Sequence, residues 1–185
     1  MSTLEVKELS HPSGEVIKIA AGKTLDLNSQ GTLVLPTVPH AKMPSGSVLQ
    51  VVSVHYSTDQ ASTSGTHRDT GLTATITPSS TSSKILILVN QNGVFKHTGN
   101  TATAVSLKLL KGSTNLKTFG IESAINYSSS NYQEIGTVSF DFLDSPSTTS
   151  ATTYKTTFAT TVNGQSVNVQ RSGCSSSITL MEIQG

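Results

Sequence analysis

Apolar residues in this chain recur at every second position and seldom at the three-to-four spacing of a helix, so strands are the expected element. Residues 48–56 (VLQVVSVHY) predict a long, largely buried strand. Leu72, Ala74 and Ile76 alternate with Thr73, Thr75 and Thr77. Residues 84–91 (KILILVNQ) form a continuous apolar run suited to the centre of a sheet. Val105, Leu107 and Leu109 alternate with Ser106 and Lys108. Ile135, Val138, Phe140 and Phe142 predict another strand, with an irregularity at Gly136. Tyr154, Thr156, Phe158, Thr160 and Val162 share one face of the next. Val167 and Val169 mark a short strand after Asn163-Gly164, a pair that accepts the positive φ of a tight turn and so predicts a hairpin. The last strand expected is 178–183 (ITLMEI).

Turn-rich segments at 59–66, 78–83, 93–100, 111–115, 127–131 and 144–149 separate these runs. Short strands at this spacing predict an all-β fold, an antiparallel β-sandwich of jelly-roll type. Residues 46–185 are assigned to it.

The first 45 residues read differently. Pairs of apolar residues, among them Leu25 with Leu27 and Leu33 with Leu35, are interrupted by turn residues about every eight positions. Strands that short cannot build a core alone. Copies from other chains can supply the missing walls, so residues 1–45 are expected to be a β-rich trimerisation and docking segment, with Leu25, Leu27, Leu33 and Leu35 as cross-chain contacts. Pro36, Pro39 and Pro44 stiffen a neck between this segment and the sandwich.

Composition narrows the function. Of 185 residues, 29 are Ser and 27 are Thr, while charged residues make up 12%, about half the usual share of about 25%. With a net charge of +1 and two Arg, no basic patch is expected to hold nucleic acid. No apolar run approaches the ~20 residues of a membrane helix, and the opening MSTLEVKEL has no secretory pattern. Cys174 is the single cysteine, which excludes an intrachain disulfide and suits synthesis in a cytoplasm.

Motifs for chemistry are missing. The five His residues (11, 40, 55, 67 and 97) show no metal-ligand spacing. Asp141 and Asp144 lie near Glu134, but Asp141 alternates with Phe140 and Phe142 and so points to solvent. There is no Trp to platform a sugar beside a carboxylate pair. His67-Arg68-Asp69 matches the start of a kinase catalytic loop without the rest of it, and no GxSxG elbow or phosphate-binding glycine loop is present. Neither catalysis nor a cofactor or metal is expected. The polar, aromatic-tipped loop YSSSNY, with Tyr127, Ser128, Asn131 and Tyr132, is the candidate recognition surface.

Several stretches carry a resemblance. They are residues 48–54, 70–87 (TGLTATITPSSTSSKILI), 142–146 (FLDSP), 150–155 (SATTYK) and 178–183, with the opening MSTLEV. Together these resemble the C-terminal domain of tail-fibre-like or head-fibre virion proteins of phages of marine and freshwater bacteria, including cyanobacteria. The resemblance covers 46–185 well and the first 45 residues loosely, and its motifs are turns and strand edges. It implies a virion protein whose partners are its own copies, capsid or tail proteins, and a host surface glycan or protein. Many such relatives are long, so the short N-terminal part here favours a short fibre, head fibre or spike. Capsid decoration (cementing neighbouring subunits) and a lectin-like module are the alternatives.

Overall fold

The period-two pattern becomes strands throughout. The computed structural model describes residues 39–97, 102–123 and 134–185, all within one unit, Pro39–Gly185. The strands are β1 (Val48–Tyr56), β2 (Gln60–Ser62), β3 (Arg68–Ile76), β4 (Lys84–Lys96), β5 (Val105–Lys111), β6 (Thr114–Ser123), β7 (Glu134–Asp144), β8 (Thr152–Thr160), β9 (Val167–Val169) and β10 (Ser176–Ile183). Among the described residues the only helical pieces are two 3-10 turns, His40–Lys42 and Arg171–Gly173.

Two antiparallel sheets face each other. Sheet A has the order β1-β10-β4, with β7 on the far side of β4; β9 and β2 continue it where β10 ends. Sheet B has the order β3-β8-β5-β6. Setting aside the three-residue strands β2 and β9, the eight long strands fall into sheets in the order first-eighth-third-sixth and second-seventh-fourth-fifth. That is the double Greek key of a jelly roll, so the expected sandwich is the observed one.

Side chains alternate between the core and the outside. Inward rows across sheet A read Val52-Leu180-Ile87-Phe142 and Val54-Ile178-Val89-Phe140. Leu72, Ala74, Ile76, Leu109 and Tyr154 of sheet B pack against them. A second apolar cluster holds Val94, Val105, Leu107, Phe158, Val167 and Val169. Between the clusters lies a layer of fully buried polar side chains: Thr70, Gln91, Thr156, Gln170 and Ser176. Thr156 donates to the Gln91 carbonyl at 3.0 Å and shares a 2.6 Å hydroxyl contact with Thr70. Gln91 and Gln170 both donate to the Ser176 hydroxyl, at 2.9 and 3.1 Å. The layer ties sheet A to sheet B.

Some sequence expectations change. Among the described residues β1 is an edge strand, not a largely buried one: with only β10 beside it there, alternate residues face water, and Val51 is 54% exposed. β4 runs on through Gly93 to Lys96, where a turn was expected. The irregularity expected at Gly136 sits opposite it on β4, where the pairing with β7 shifts between Gln91 and Val94. Gly93 allows this because its φ is +58° and a Cβ there would stand 2.4 Å from the Arg171 backbone nitrogen. Asn163-Gly164 does not close a hairpin, since β8 and β9 belong to different sheets. Its glycine, at φ +88°, turns a crossing between them.

Candidate interaction surfaces

The residues expected to form the trimer contacts (Leu25, Leu27, Leu33, Leu35) and the recognition loop (Tyr127, Ser128, Asn131, Tyr132) lie outside the described residues. Function must therefore be read from the two outer faces and the ends of the sandwich.

The register across sheet A places Val51, Met181, Leu86 and Leu143 side by side on its outer face. Val51 and Leu143 are more than half exposed, at 54% and 51%. Val48 pairs with Ile183 one step nearer the sheet end, and Leu88 lies one step further in. Ser53, Thr179 and Asp141 share the row of Leu88, and the next row is polar throughout: His55, Ser177, Asn90 and Ser139. Hydroxyl and amide ladders hold those rows, Ser53 to Thr179 at 2.9 Å and Ser139 to Asn90 at 3.2 Å. Asp141 is exposed here, as its alternation with phenylalanines implied.

The outer face of sheet B is mostly hydrophilic over β3, β8 and β5, while Ile121 on its edge strand β6 is a lone large apolar side chain, 64% exposed. Thr75 and Thr153 join hydroxyls at 2.7 Å, and Lys155 pairs with Asp69 at 2.9 Å. His67 lies between two hydroxyls, Ser106 on Nε2 and Thr157 on Nδ1, each at 3.2 Å. Burial and the nearby Lys108 cation hold its pKa below the ordinary histidine value. A serine beside a histidine suggests nucleophilic chemistry, but here the second ring nitrogen meets a threonine where a triad places a carboxylate. The arrangement is that of a neutral, hydrogen-bonded imidazole.

Two buried carboxylates sit at the end of the sandwich where β1 begins. Glu182 is fully buried and takes Gln50 Nε2 at 2.6 Å, the Ser79 backbone N–H at 2.7 Å and the Ser79 hydroxyl at 2.6 Å. Burial alone would raise its pKa. The hydrogen bonds outweigh that and bring it below the usual 4.5. Asp144 accepts the Tyr154 hydroxyl at 2.7 Å and the Lys111 ammonium at 2.9 Å, which links the two sheets. Desolvation and the neighbouring carboxylate push the Tyr154 phenol far above its normal range.

At the opposite end Asp59 accepts from Asn168 at 2.5 Å and from Arg171 at 3.1 Å; His97 meets the Asn168 side-chain oxygen at 2.8 Å, and Arg171 lies 5.0 Å over the Phe95 ring. This network closes on itself and pins β9 to the end of β4. Among the described residues no group of three or more His, Cys, Asp or Glu is placed to hold a metal ion. Cys174, half-buried, ends the Arg171–Gly173 turn.

The apolar row on sheet A escapes a reading of the sequence alone. Val51 and Leu143 are 92 positions apart and meet only through the register of four strands. The one local hint is that β1 and β4 carry apolar residues at positions that should face out.

No protein-family model and no curated protein sequence matches the chain. Among solved structures it is similar to the infectious bursal disease virus VP2 subviral particle, at 16% identity over 83% of this chain and 38% of that one, with a TM-score of 0.47. It is also similar to the structure of the Gx strain of the same virus, at 12% identity over 83% of this chain and 37% of that one, with a TM-score of 0.48. The chain thus spans well under half the length of these viral chains, and likenesses this distant assign it no function.

Proposed function

We propose that this chain is a non-enzymatic structural protein of a phage virion, a short homotrimeric appendage of head or tail that projects its jelly roll from the particle surface. The observation that carries this reading is the contrast between the outer faces. Sheet B presents threonines, a lysine-aspartate pair and a hydrogen-bonded histidine to water. Sheet A presents a row of large apolar side chains. A contiguous apolar patch of this kind marks a surface that is covered in an assembly. Jelly rolls serve viral capsids, lectins and cupins alike, so the fold alone does not choose. The resemblance of residues 46–185 to tail-fibre-like virion proteins supports the first.

In this reading residues 1–45 trimerise through Leu25, Leu27, Leu33 and Leu35 and dock on a capsid or tail protein. The loop holding Tyr127, Ser128, Asn131 and Tyr132 meets a host surface glycan or protein, weak single contacts being multiplied by three-fold avidity. The test is to locate the protein on particles by immunogold labelling and to count its copies by quantitative mass spectrometry. Labelling at discrete projections, with few copies, is expected. Uniform labelling with copies comparable to those of the capsid protein would favour the decoration role, to which a broad apolar face is also suited. Absence from particles, together with sugar binding by the isolated protein, would replace both with the lectin-like module.

A further inference from the structure

We infer that the apolar end of the outer face of sheet A is where three copies of this chain meet around a common axis. The inference rests on the trimeric reading above and names the surface that reading requires. Val48, Val51, Leu86, Leu143 and Met181 form one contiguous patch there. Five side chains cover less than the roughly 800 Å² that each partner contributes to a stable interface. The hydroxyl and amide rows beside it, from Ser53 to Asn90, have the chemistry of the remainder. An interface has an apolar, charge-poor centre and a polar rim, and Asp141 and His55 both lie in those outer rows.

The position of the patch in the chain selects a second copy as its occupant. Residues 39–47 lead into β1. There the Gly46 N–H donates to the Gln184 carbonyl and the Gln184 N–H to the Ser47 carbonyl, both at 2.8 Å, so the chain is clamped to the end of β10 beside Ile183. Val48, the next residue, is the corner of the patch and is 51% exposed. Copies joined through their N-terminal segments would each carry this corner on a tether of only residues 39–47. The high effective concentration lets a patch of modest area associate. An unrelated partner would gain nothing from this coincidence of patch and stalk. Sheet B, on the other side of the sandwich, then faces outward, in keeping with its threonines and ion pair.

The experiment uses the full chain with Cys174→Ser, so that a single introduced thiol reports. Val48→Cys is treated with a short bismaleimide and run on a denaturing gel, and Thr75→Cys, on the outer face of sheet B, is the control. The expected result is covalent dimers for Val48→Cys and none for Thr75→Cys, with a solution mass near three times 19.4 kDa. In a second variant, Val51→Asp with Leu143→Asp, an unchanged thermal melt of the sandwich and at least a tenfold rise in the concentration of half-dissociation are expected. A trimeric mass without the Val48→Cys cross-link, or with dissociation unchanged in the double variant, overturns this inference and leaves the proposed function standing. A mass near 19.4 kDa removes the trimer and the inference together. Cross-linking of Val48→Cys to a different virion protein on purified particles, with none between copies, also overturns it.

Discussion

Single residues set the stability of this sandwich where a charge or a backbone angle leaves no alternative. Glu182 shows this best, because its carboxylate is fully buried and satisfied by Gln50 and Ser79. Its pKa is lower in the folded chain than the usual 4.5. A depressed carboxylate pKa stabilises the fold above the unfolded value, and that stability is lost as pH falls through 4.5 towards the folded value. Urea titrations between pH 7 and pH 3 should show this fall, and Glu182→Gln should flatten it. At pH 7 the same substitution should cost about 2 kcal/mol, since it weakens three charge-assisted hydrogen bonds at once. Gly71 is a second such position. Its φ is +86°, and a Cβ would lie 2.3 Å from the Tyr56 ring. Gly71→Ala should therefore destabilise by about 2 kcal/mol or more, read from thermal melts. Both residues sit in stretches whose sequence looks ordinary, a strand end and a Thr-rich strand. The alternation of Ile178 and Leu180 puts Glu182 on the inner face, but its charge and the apolar Met181 and Ile183 on either side of it argue the other way.

At the scale of elements, the legible strands were those with a clean inner face. β3, β5, β8 and β10 carry regular alternation, and their expected positions agree with those observed. β6 was not expected, because its pairing with β5 slips at several places and its inward residues, Leu116 and Phe119, are three apart. β2 is too short to show a period and was read as part of a turn. The Asn163-Gly164 pair has the right turn chemistry, but which strands it joins is decided by β9 finding β2 and β4. Local pattern thus identified strands, whereas sheet membership and the apolar row depend on contacts between distant parts of the chain. The buried polar layer belongs to this scale too. Thr156→Val keeps the shape of the side chain but leaves the Gln91 carbonyl without its donor. A loss of about 1–3 kcal/mol is expected in urea unfolding. Adding Thr70→Val should deepen that loss, because the Thr70 hydroxyl also accepts the buried Leu72 N–H at 3.0 Å.

For the whole molecule the question is what covers the apolar face. If residues 1–45 gather three copies, as proposed, Leu25→Asp with Leu27→Asp should turn a particle of about three times 19.4 kDa into one of 19.4 kDa by light scattering. The sandwich should keep its own melting transition, because its core is complete within residues 39–185. A variant that stays trimeric would show that the copies are held together elsewhere.

The clamp of Gly46 and Ser47 on Gln184 has a mechanical side. A pull applied to the chain ahead of Gly46 reaches the sandwich at these two hydrogen bonds. It then reaches the β1–β10 ladder from its Val48–Ile183 rung. Because β1 has one backbone partner among the described strands, the load falls on one rung at a time and the strand peels like a zip. β4 and β10, paired on both sides, stay behind. Under tension the domain would lengthen first at its root, a yielding joint that spares the rest of the jelly roll from breaking.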